Sequence, residues 1–328
     1  MLSVKLKRGS CALFNFIRKM AIKVTKHLEK LAKRSPAVQK QYYPSLHEKE
    51  FSLACSEDPL QEDTKYTKMP GLVHKYPHRV LILLTGNCAA YCRFCTRRRH
   101  TLDNAHHKLS QKEIANIAKY LRDNNNVNEI IISGGDPLTC IPEILLLIKL
   151  AERISNIKVI RIHTRMPVAD PKNIPKKLFL SLKKIKNKAI YVLVHFEHPD
   201  EITPQTVKVL RKFRESGAML LSQSVFLKGI NDSYETLFEL FNKLSEIGVI
   251  AYMIGHCDKV KGVEHFIVPI EKEIEIMTEL RKNISGIAFP NHVIDAPEGC
   301  GKIIVPGNFW DFDRKKFRDF DDKEIKMY

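Results

Sequence analysis

The sequence predicts an α/β fold in which a parallel sheet forms an incomplete barrel of six β/α units, with a helical N-terminal region before it and a short closing segment after it. From residue 79 onward, short runs rich in Val, Ile and Leu alternate with segments of helical period. That alternation is typical of parallel strands joined by crossover helices. The chain has 328 residues, 44% of them hydrophobic, and barrels of about 200–250 residues commonly fold as one domain. We therefore expect one main domain.

Residues 1–78 are predicted to form a helical region and a polar connector. Residues 21–31 have a helical period, and residues 57–68 are polar and contain a proline. Residues 1–19 superficially resemble a secretory signal, but their apolar stretch is short and contains Asn15. No apolar run is long enough to span a bilayer. We therefore expect a cytoplasmic protein without a membrane partner.

Residues 79–285 are predicted to form the partial barrel. Its strands are expected at residues 79–85, 129–133, 159–164, 191–196, 220–227 and 250–256. The helices that follow them are expected at residues 110–124, 141–155, 174–185, 203–216, 234–247 and 271–283. Each begins near Ser, Thr, Pro or acidic residues, which favour helix N-termini.

Residues 286–328 are predicted to form a C-terminal segment. The pattern changes at Gly286 to a stretch interrupted by Gly and Pro, which indicates a short closing unit. Residues 311–328 are highly charged and are expected to form a solvated helix or a frayed end. The predicted division of the chain is therefore 1–78, 79–285 and 286–328.

The most informative feature is a group of three cysteines directly after the first predicted strand. Cys88, Cys92 and Cys95 have the spacing C-x3-C-x2-C and supply three thiolates with no obvious fourth. A four-iron cluster has four irons to ligate, so three cysteines leave one iron open to a small molecule. Ferredoxins and structural zinc sites usually close the shell with a fourth Cys or His.

Two other interpretations of these cysteines are weaker. A zinc site needs a second Cys or His pair at short spacing, and the nearest candidates are only His100, His106 and His107. Disulfides are disfavoured because the other five cysteines are scattered without a framework. A reducing compartment, which preserves both a cluster and free thiols, agrees with the expected cytoplasmic location.

Further polar residues fall where the predicted strands end. In barrels, active sites gather at the carboxyl ends of the strands, where the βα loops begin. The residues at these positions are Ser133, Gly134, Gly135, Asp136, Arg165, His195, Gln223, Ser224 and Asp258. This placement supports catalysis at that end of the sheet without using the cysteine motif.

The cysteine motif resembles that of the radical S-adenosylmethionine (SAM) enzymes, and further blocks resemble their lysine 2,3-aminomutase family. These blocks lie at residues 71–81, 88–99, 133–138, 161–168, 195–203, 223–232, 285–288 and 293–302. They follow in the family's order and cover about residues 55–307. The resemblance implies a radical SAM partial barrel.

The resemblance also implies an isomerase that moves the α-amino group of L-lysine to the β-carbon and so makes β-lysine. In that family the three cysteines bind a 4Fe-4S cluster whose open iron binds S-adenosyl-L-methionine. An electron from the cluster then cleaves this ligand to a 5'-deoxyadenosyl radical. Pyridoxal 5'-phosphate carries the amino group, and the lysine that forms a Schiff base with it matches Lys302, which lies among small residues.

Roles for other residues follow from the same resemblance. Arg97 matches the group that binds the substrate carboxylate, and Asp258 and Asp295 match the pair that binds its distal ammonium. Because a buried cation needs carboxylate partners, this pair favours lysine or a similarly cationic amino acid. The other matches are to positions near S-adenosylmethionine or pyridoxal phosphate: Gly134, Gly135, Asp136, His195, Gln223, Tyr76 and Arg79.

The chain departs from the family pattern at a few positions. Lys75 stands where an Arg is common, and Glu197 stands where an Asn is common. Aromatic residues common near Met253 and Gly255 are missing, and Glu298 and Cys300 interrupt a run of glycines.

Several interpretations of the biological role stay open. The β-lysine could be a free metabolite or could serve to modify translation elongation factor P. The net charge of +17 invites a radical enzyme that acts on RNA, although the charge is spread along the chain and no interleaved basic and aromatic module is present. A cluster carrier without enzyme activity is a further alternative. The expected partners are an amino acid substrate and an electron donor such as flavodoxin or ferredoxin, and a homo-oligomer is left open.

Overall fold

The computed structural model describes residues 22–50, 52–101, 108–308, 310–311, 316–318 and 323–326. A ten-stranded sheet forms its centre, with the strands in chain order from one edge to the other. The strands are β1 Thr67–Met69, β2 Leu72–Tyr76, β3 Arg79–Thr85, β4 Glu129–Gly134, β5 Val159–Thr164, β6 Ala189–His195, β7 Met219–Val225, β8 Ile250–Gly255, β9 Asn291–Ala296 and β10 Gly301–Ile304. Strands β3 to β9 run parallel, and β1, β2 and β10 add antiparallel pairs at the two edges. The predicted incomplete α/β barrel is confirmed.

Helices α1 and α2 precede the sheet, and the later helices lie between the parallel strands, as the alternating pattern predicts. They are α1 Lys26–Ala32, α2 Pro36–Tyr42, α3 Arg98–Thr101, α4 Gln111–Asp123, α5 Ile141–Glu152, α6 Met166–Ala169, α7 Lys176–Lys184, α8 Pro204–Glu215, α9 Tyr234–Glu246 and α10 Ile270–Asn283. The hydroxyls of Ser110, Thr203 and Ser233 cap α4, α8 and α9 by accepting a backbone N–H three residues on. Such caps satisfy N–H groups that have no partner within the helix and so fix its start.

Strand β5 shows how the sheet separates core from cavity. Ile160 and Ile162 are fully buried and belong to the main hydrophobic core, whereas Arg161 and His163 line an internal cavity. Successive side chains of a strand point to opposite faces. One face of the sheet therefore packs under the helices and the other encloses the cavity.

The N-terminal region is helical where the structure describes it. Helix α1 begins after Thr25, whose side chain accepts the N–H of Leu28 at 3.2 Å, rather than at the predicted residue 21, which lies outside the described residues. Helix α2 begins with Pro36 after the cap Ser35, because proline has no N–H to leave unsatisfied in a first turn. Leu28 is fully buried in the same core as the sheet.

The C-terminal segment extends the sheet. Strand β9 pairs in parallel with β8, and β10 turns back against β9 so that Lys302 lies opposite Asp295. The sheet thus runs from Thr67 to Ile304, beyond both ends of the predicted barrel, and the division into domains stays a prediction.

The predicted helix in the tail is wrong for the residues described. Trp310–Asp311, Lys316–Arg318 and Glu324–Lys326 form a small antiparallel sheet, β11 to β13. Lys316 and Glu324 pair across two of these strands at 2.6 Å. This ion pair is diagonal, since Lys316 lies opposite Lys326 and Glu324 lies opposite Arg318. Opposite charges on neighbouring strands stabilise a sheet in the way that charges four residues apart stabilise a helix, so charge alone could not distinguish the two.

The two edges of the large sheet meet through side chains. The Tyr66 hydroxyl, beside β1, donates to the carbonyl oxygen of Gly299 at 3.0 Å, and the backbone N–H of Lys302 donates to the Tyr76 hydroxyl at 3.3 Å. We call this junction between β2 and β10 the edge seam. No helix in the described ranges is long and apolar enough to cross a membrane.

Candidate active site

All the residues predicted to form a site line one cavity. The cavity has a volume of about 350 Å³ and lies on the inner face of the sheet, toward the carboxyl ends of the parallel strands. Its lining includes Cys88, Cys92, Cys95, Arg97, Gly134, Gly135, Asp136, His195, Gln223, Tyr76, Arg79, Asp258, Asp295 and Lys302. Residues up to 226 positions apart in the chain thus share one space, as the Tyr76–Lys302 contact shows.

The cysteine loop is held by buried contacts. The N–H of Asp136 donates to the carbonyl of Asn87 at 2.7 Å, and the N–H of Arg93 donates to the carbonyl of Gln41 at 2.8 Å. The Arg93 guanidinium also donates twice to Glu48, at 2.9 and 2.6 Å, with both side chains 1% exposed. Bidentate pairs of this kind fix geometry as well as charge, so the loop has a defined path.

Gly134 and Gly135 let the loop after β4 pack against the backbone near the cysteines. Gly134 has φ +123°, and a Cβ there would lie 2.4 Å from the carbonyl oxygen of Thr85. A Cβ on Gly135 would lie 2.4 Å from the carbonyl oxygen of Asn87. Both glycines are therefore required by this close approach.

Asp136 is a buried organising residue. Its carboxylate accepts from the Thr164 hydroxyl at 2.8 and 2.9 Å and from the backbone N–H groups of Leu138, Arg165 and Met166 at 3.0, 2.7 and 3.1 Å. Burial raises its pKa, although these hydrogen bonds act in the opposite direction. In the structure Asp136 joins the ends of β4 and β5.

Burial also raises the pKa of the Cys88 and Cys92 thiols. The pKa of Cys88 lies well above its usual value, and that of Cys92 rises to about 11 even though Arg165 opposes the shift. Thiolates at these positions therefore need a positive partner. Among the described residues, which leave out the zinc candidates His106 and His107, no group of three His, Cys, Asp or Glu converges on a point where a single metal ion could bind.

Arg165 makes the main side-chain contacts near the cysteines, and the sequence analysis gave it no role. Its Nη1 donates to Cys92 Sγ at 2.8 Å, and its Nη2 donates to Glu201 at 2.8 Å and to Gln41. It also lies 5.0 Å from the ring centre of Tyr42. The only signal in the sequence was its place directly after β5, where active-site residues of barrels gather. We call the cysteine loop (residues 88–97), Gly134–Asp136 and Arg165 the cysteine wall.

A second part of the cavity lining carries the predicted amine-binding groups. The Nζ of Lys302 forms an ion pair with Asp295 across β9 and β10. Burial and the nearby Asp295 raise the pKa of Asp258 to about 6, and Lys302 acts in the opposite direction. We call Asp258, Asp295 and Lys302 the lysine wall.

Tyr76 and Arg79 adjoin the lysine wall at the edge seam. The Arg79 guanidinium lies 3.9 Å from the ring centre of Tyr76, which is cation–π distance. The Lys75 ammonium lies 5.5 Å from the same ring. Two cations and a hydroxyl therefore stand beside the backbone of Lys302.

Arg97 is held by Glu62, a second residue to which the sequence analysis gave no role. Its Nε and Nη2 donate to the two carboxylate oxygens of Glu62 at 2.8 and 2.7 Å. Burial alone would raise the pKa of Glu62, but Arg97 lowers it below its usual value. Because a guanidinium carries five N–H donors, Arg97 keeps a second edge for another anion.

His195 ends β6, and its register partner Gln223 lies two residues before the end of β7. His195 Nδ1 lies 3.6 Å from Glu197 Oε1, a residue that departs from the family pattern. The departure at Glu298 also has a structural consequence, because this residue has φ +57°. The left-handed region favours glycine, so the side chain at 298 is strained there.

Comparison with known proteins identifies the family. The model of the radical SAM superfamily matches residues 82–249. The L-lysine 2,3-aminomutase of Buchnera aphidicola is 38% identical over 253 residues, which cover 76% of this chain and 72% of the relative. The chain belongs to the lysine 2,3-aminomutase family of radical SAM enzymes.

Other members of the lysine 2,3-aminomutase family are similarly related. The L-lysine 2,3-aminomutase of Clostridium subterminale is 40% identical over 274 residues, covering 83% of this chain and 65% of that relative. The Bacillus subtilis enzyme is 38% identical, with 80% and 55% covered. The chain therefore spans slightly less than two thirds of the length of the first of these relatives.

A solved structure supports the fold alone. The radical SAM methyltransferase from Sphaerobacter thermophilus superposes with a TM-score of 0.51 at 16% identity, over 68% of each chain. Membership of the radical SAM superfamily implies a 4Fe-4S cluster and S-adenosylmethionine. The three cysteines, with a guanidinium against one sulfur, fit such a cluster, because its cysteines bind separate irons rather than one ion.

Proposed function

We propose that this protein is a lysine 2,3-aminomutase, which moves the α-amino group of L-lysine to the β-carbon. The observation that carries the proposal is the single cavity that joins three cysteines to Lys302 and two carboxylates. When bound, the cluster and S-adenosylmethionine supply hydrogen-abstraction chemistry, and pyridoxal phosphate supplies a carrier for the migrating amine. The residues of the chain then have to bind, orient and shield these groups.

The cysteine wall supports the first of these roles. Cys88, Cys92 and Cys95 would bind three irons, and the N–H groups of Arg165 reduce the cost of a buried thiolate at Cys92. Gly134 and Gly135 leave no side chain between the backbone of their loop and the cysteine loop. From the resemblance to the family, the glycine segment, His195 and Gln223 are proposed to lie near S-adenosylmethionine and the other cofactor.

The lysine wall supports selection of a cationic substrate. Asp295 lies close enough to Asp258 to raise the pKa of that carboxyl, and two such carboxylates can compensate a buried ammonium. The free edge of Arg97 can bind the substrate carboxylate in a charge-assisted pair while Glu62 holds the other edge. A substrate with a carboxylate at one end and an ammonium at the other fits this arrangement.

The edge seam supports binding of pyridoxal phosphate. Lys75 and Arg79 supply cations for its phosphate, and Lys302 supplies the amine to which it attaches. Tyr76 stands between them, with its hydroxyl at the backbone of Lys302. This assignment explains why the two edges of the sheet meet at these residues.

The test is an anaerobic assay. Protein reconstituted with iron and sulfide is incubated with dithionite, S-adenosylmethionine, pyridoxal phosphate and L-lysine, and the products are separated by chromatography with mass detection. We expect β-lysine. Absence of a product from lysine and from any other cationic amino acid would refute the proposal, and stimulation of S-adenosylmethionine cleavage by tRNA instead of lysine would favour an enzyme that acts on RNA.

A matched variant separates the two cofactors. Lys302→Ala should make no β-lysine, because the amine that attaches pyridoxal phosphate is gone, yet its reduced cluster should still change its paramagnetic resonance spectrum on addition of S-adenosylmethionine. Borohydride treatment of the parent protein should fix pyridoxal phosphate to the peptide that contains Lys302. Attachment at another lysine would contradict the role given to Lys302.

The same reaction serves both fates of β-lysine, as a free metabolite or as a group for elongation factor P. A screen for product transfer to elongation factor P distinguishes them. Reduced flavodoxin or ferredoxin is the proposed source of the electron in place of dithionite.

A further inference from the structure

A buried carboxylate lies between two imidazoles behind the lysine wall. Glu273, in the first turn of α10, is fully buried. Its Oε1 lies 2.9 Å from Nδ1 of His256, and its Oε2 lies 2.9 Å from Nε2 of His292. None of these three residues belongs to the site predicted from the sequence. A buried carboxylate is costly without such donors, so the pair of imidazoles explains how Glu273 is tolerated.

The carboxylate fixes the proton of His256. An ionised carboxylate only accepts hydrogen bonds, so the ring nitrogen that faces Glu273 carries the hydrogen. In a neutral imidazole the other nitrogen, Nε2, is then a bare acceptor. His256 lines the cavity, and among the described residues its side chain is hydrogen-bonded to Glu273 alone. With Nδ1–H directed at Glu273, a neutral His256 ring therefore offers an acceptor, rather than a donor, at Nε2.

This acceptor lies beside the two carboxylates of the lysine wall. The N–H of His256 donates to the carbonyl of Val293 at 2.8 Å, and Asp258 and Asp295 each follow two residues later on their own segments. All three side chains line the cavity at the ends of the adjacent strands β8 and β9. When protonated, His256 lowers the pKa of Asp258, and the acceptor at Nε2 belongs to the neutral ring.

The lysine wall already holds one alkylammonium, that of Lys302 on Asp295. An ammonium has three N–H donors, and two carboxylates supply two charged acceptors. A third carboxylate would add a further buried negative charge and disfavour ionisation of Asp258 still more. A neutral imidazole supplies the third acceptor without that charge.

We propose that His256 is a specificity-determining residue, whose Nε2 accepts a hydrogen bond from the distal ammonium of the substrate, and that Glu273, itself held by His292, is the positioning residue that fixes its tautomer. The proposal rests on the proposed function, since it names a recognition group for the same cationic amino acid. It predicts selection against substrates of equal length that end in a methyl group.

Nuclear magnetic resonance of the full chain labelled with 15N-histidine tests the tautomer directly. We expect His256 to carry its proton on Nδ1, and we expect its Nε2 resonance to shift when L-lysine is added but not when L-2-aminoheptanoic acid, in which a methyl group replaces the distal ammonium, is added. The His256→Leu variant assigns the signal. A proton on Nε2, or equal responses to the two amino acids, would overturn the proposal.

Kinetics of the reconstituted enzyme provide the second test. His256→Leu should raise KM for lysine about tenfold, as expected for one lost hydrogen bond to a charged group, with kcat changed by less than about twofold. His256→Gln, whose amide oxygen can accept, should recover most of the affinity, and Glu273→Gln should weaken binding by less than His256→Leu. A parallel loss of kcat and iron in His256→Leu would indicate a structural role and refute the proposal.

The two proposals fail in different ways. If the parent protein makes no product from lysine, the proposed function fails. If it makes β-lysine and His256→Leu has an unchanged KM, only the role of His256 fails.

Discussion

The two walls of the cavity are built differently. In the cysteine wall, Arg165 and its partner Glu201 are 10% and 0% exposed, and Arg165 makes hydrogen bonds to three different side chains. In the lysine wall, Lys302 is 38% exposed on an edge strand and pairs only with Asp295 among the described side chains. Buried groups with several partners open rarely, whereas exposed groups with one partner exchange readily. Under the proposed function, the cysteine wall keeps its ligand, and the lysine wall binds and releases substrate at every turnover.

The largest expected effect compares the same change on both walls. Arg165→Met removes a cation from a buried network and leaves Glu201 unpaired, which should lower the free energy of unfolding by about 3–5 kcal/mol. Lys302→Met removes a cation from a more exposed pair and should cost less than about 1 kcal/mol. Urea unfolding of the metal-free, reduced protein measures both. Similar losses in the two variants would abolish the distinction between the walls.

A second comparison tests the close packing of the cysteine wall. Gly134→Ala places a Cβ 2.4 Å from the carbonyl oxygen of Thr85 at φ +123°, whereas Gly217→Ala, at φ +88°, meets no atom within 4 Å. Gly217→Ala should lower the free energy of unfolding by about 1 kcal/mol because of its backbone conformation alone. Gly134→Ala should lower it by about 3 kcal/mol or more. Thermal unfolding and iron content after reconstitution measure the effect. If Gly134→Ala binds iron normally and unfolds like Gly217→Ala, the glycine does not hold the loop.

The acidity of Asp258 gives a pH test of the lysine wall. A folded-state pKa of about 6 lies above the usual value of a carboxyl, so the folded state binds the proton more tightly than the unfolded state does. The contribution of Asp258 to stability therefore falls as pH rises from about 4 to 6. The Asn side chain does not titrate. The free energy of unfolding of Asp258→Asn, relative to that of the parent protein, should therefore rise by up to about 3 kcal/mol across that range.

Unfolding curves measured from pH 4 to pH 7 check this expectation, with Asp232→Asn as the control. The neighbouring Lys272 lowers the pKa of Asp232, although burial acts the other way, so loss of that carboxylate should have the opposite pH dependence. Parallel curves for Asp258→Asn and the parent protein would show that the carboxyl is not perturbed.

The smallest effect concerns the strained residue in the turn before β10. Glu298→Gly relieves a left-handed conformation that costs an L-residue about 1–2 kcal/mol, but it adds freedom to the unfolded chain worth about 0.5–1 kcal/mol. We expect a net gain of about 0.5 kcal/mol, with Glu298→Asn in between because Asn tolerates this region. Differential scanning calorimetry measures the shift. A variant less stable than the parent protein would mean that the Glu298 side chain contributes more than its backbone costs.

The sequence allowed prediction of features that depend on local pattern. The strand Arg79–Thr85 was predicted with its observed ends, and the spacing of Cys88, Cys92 and Cys95 led to the radical SAM superfamily. Hydrophobic period and motif spacing are properties of neighbouring residues, so they are visible without a structure. The roles of the individual site residues stay predictions, although the structure brings all of them to one cavity.

Contacts between distant residues could not be predicted in the same way. Arg165 and Cys92 are 73 positions apart, Arg165 and Gln41 are 124 apart, and Arg97 and Glu62 are 35 apart. No periodicity connects such pairs, because they are set by how the barrel strands are ordered. Likewise, the charged tail offered no clear period, and its described strands were predicted as a solvated helix or a frayed end.

The edge seam has a consequence for how large, flat molecules reach the interior. A barrel whose first and last strands are joined by a full ladder of backbone hydrogen bonds must break that ladder before it can open. Here the β2 and β10 edges are joined by the Tyr66 and Tyr76 hydroxyls. Separating these two edges breaks side-chain hydrogen bonds and leaves the backbone ladder of the sheet intact. A flat, ring-shaped molecule can therefore enter the cavity between β2 and β10.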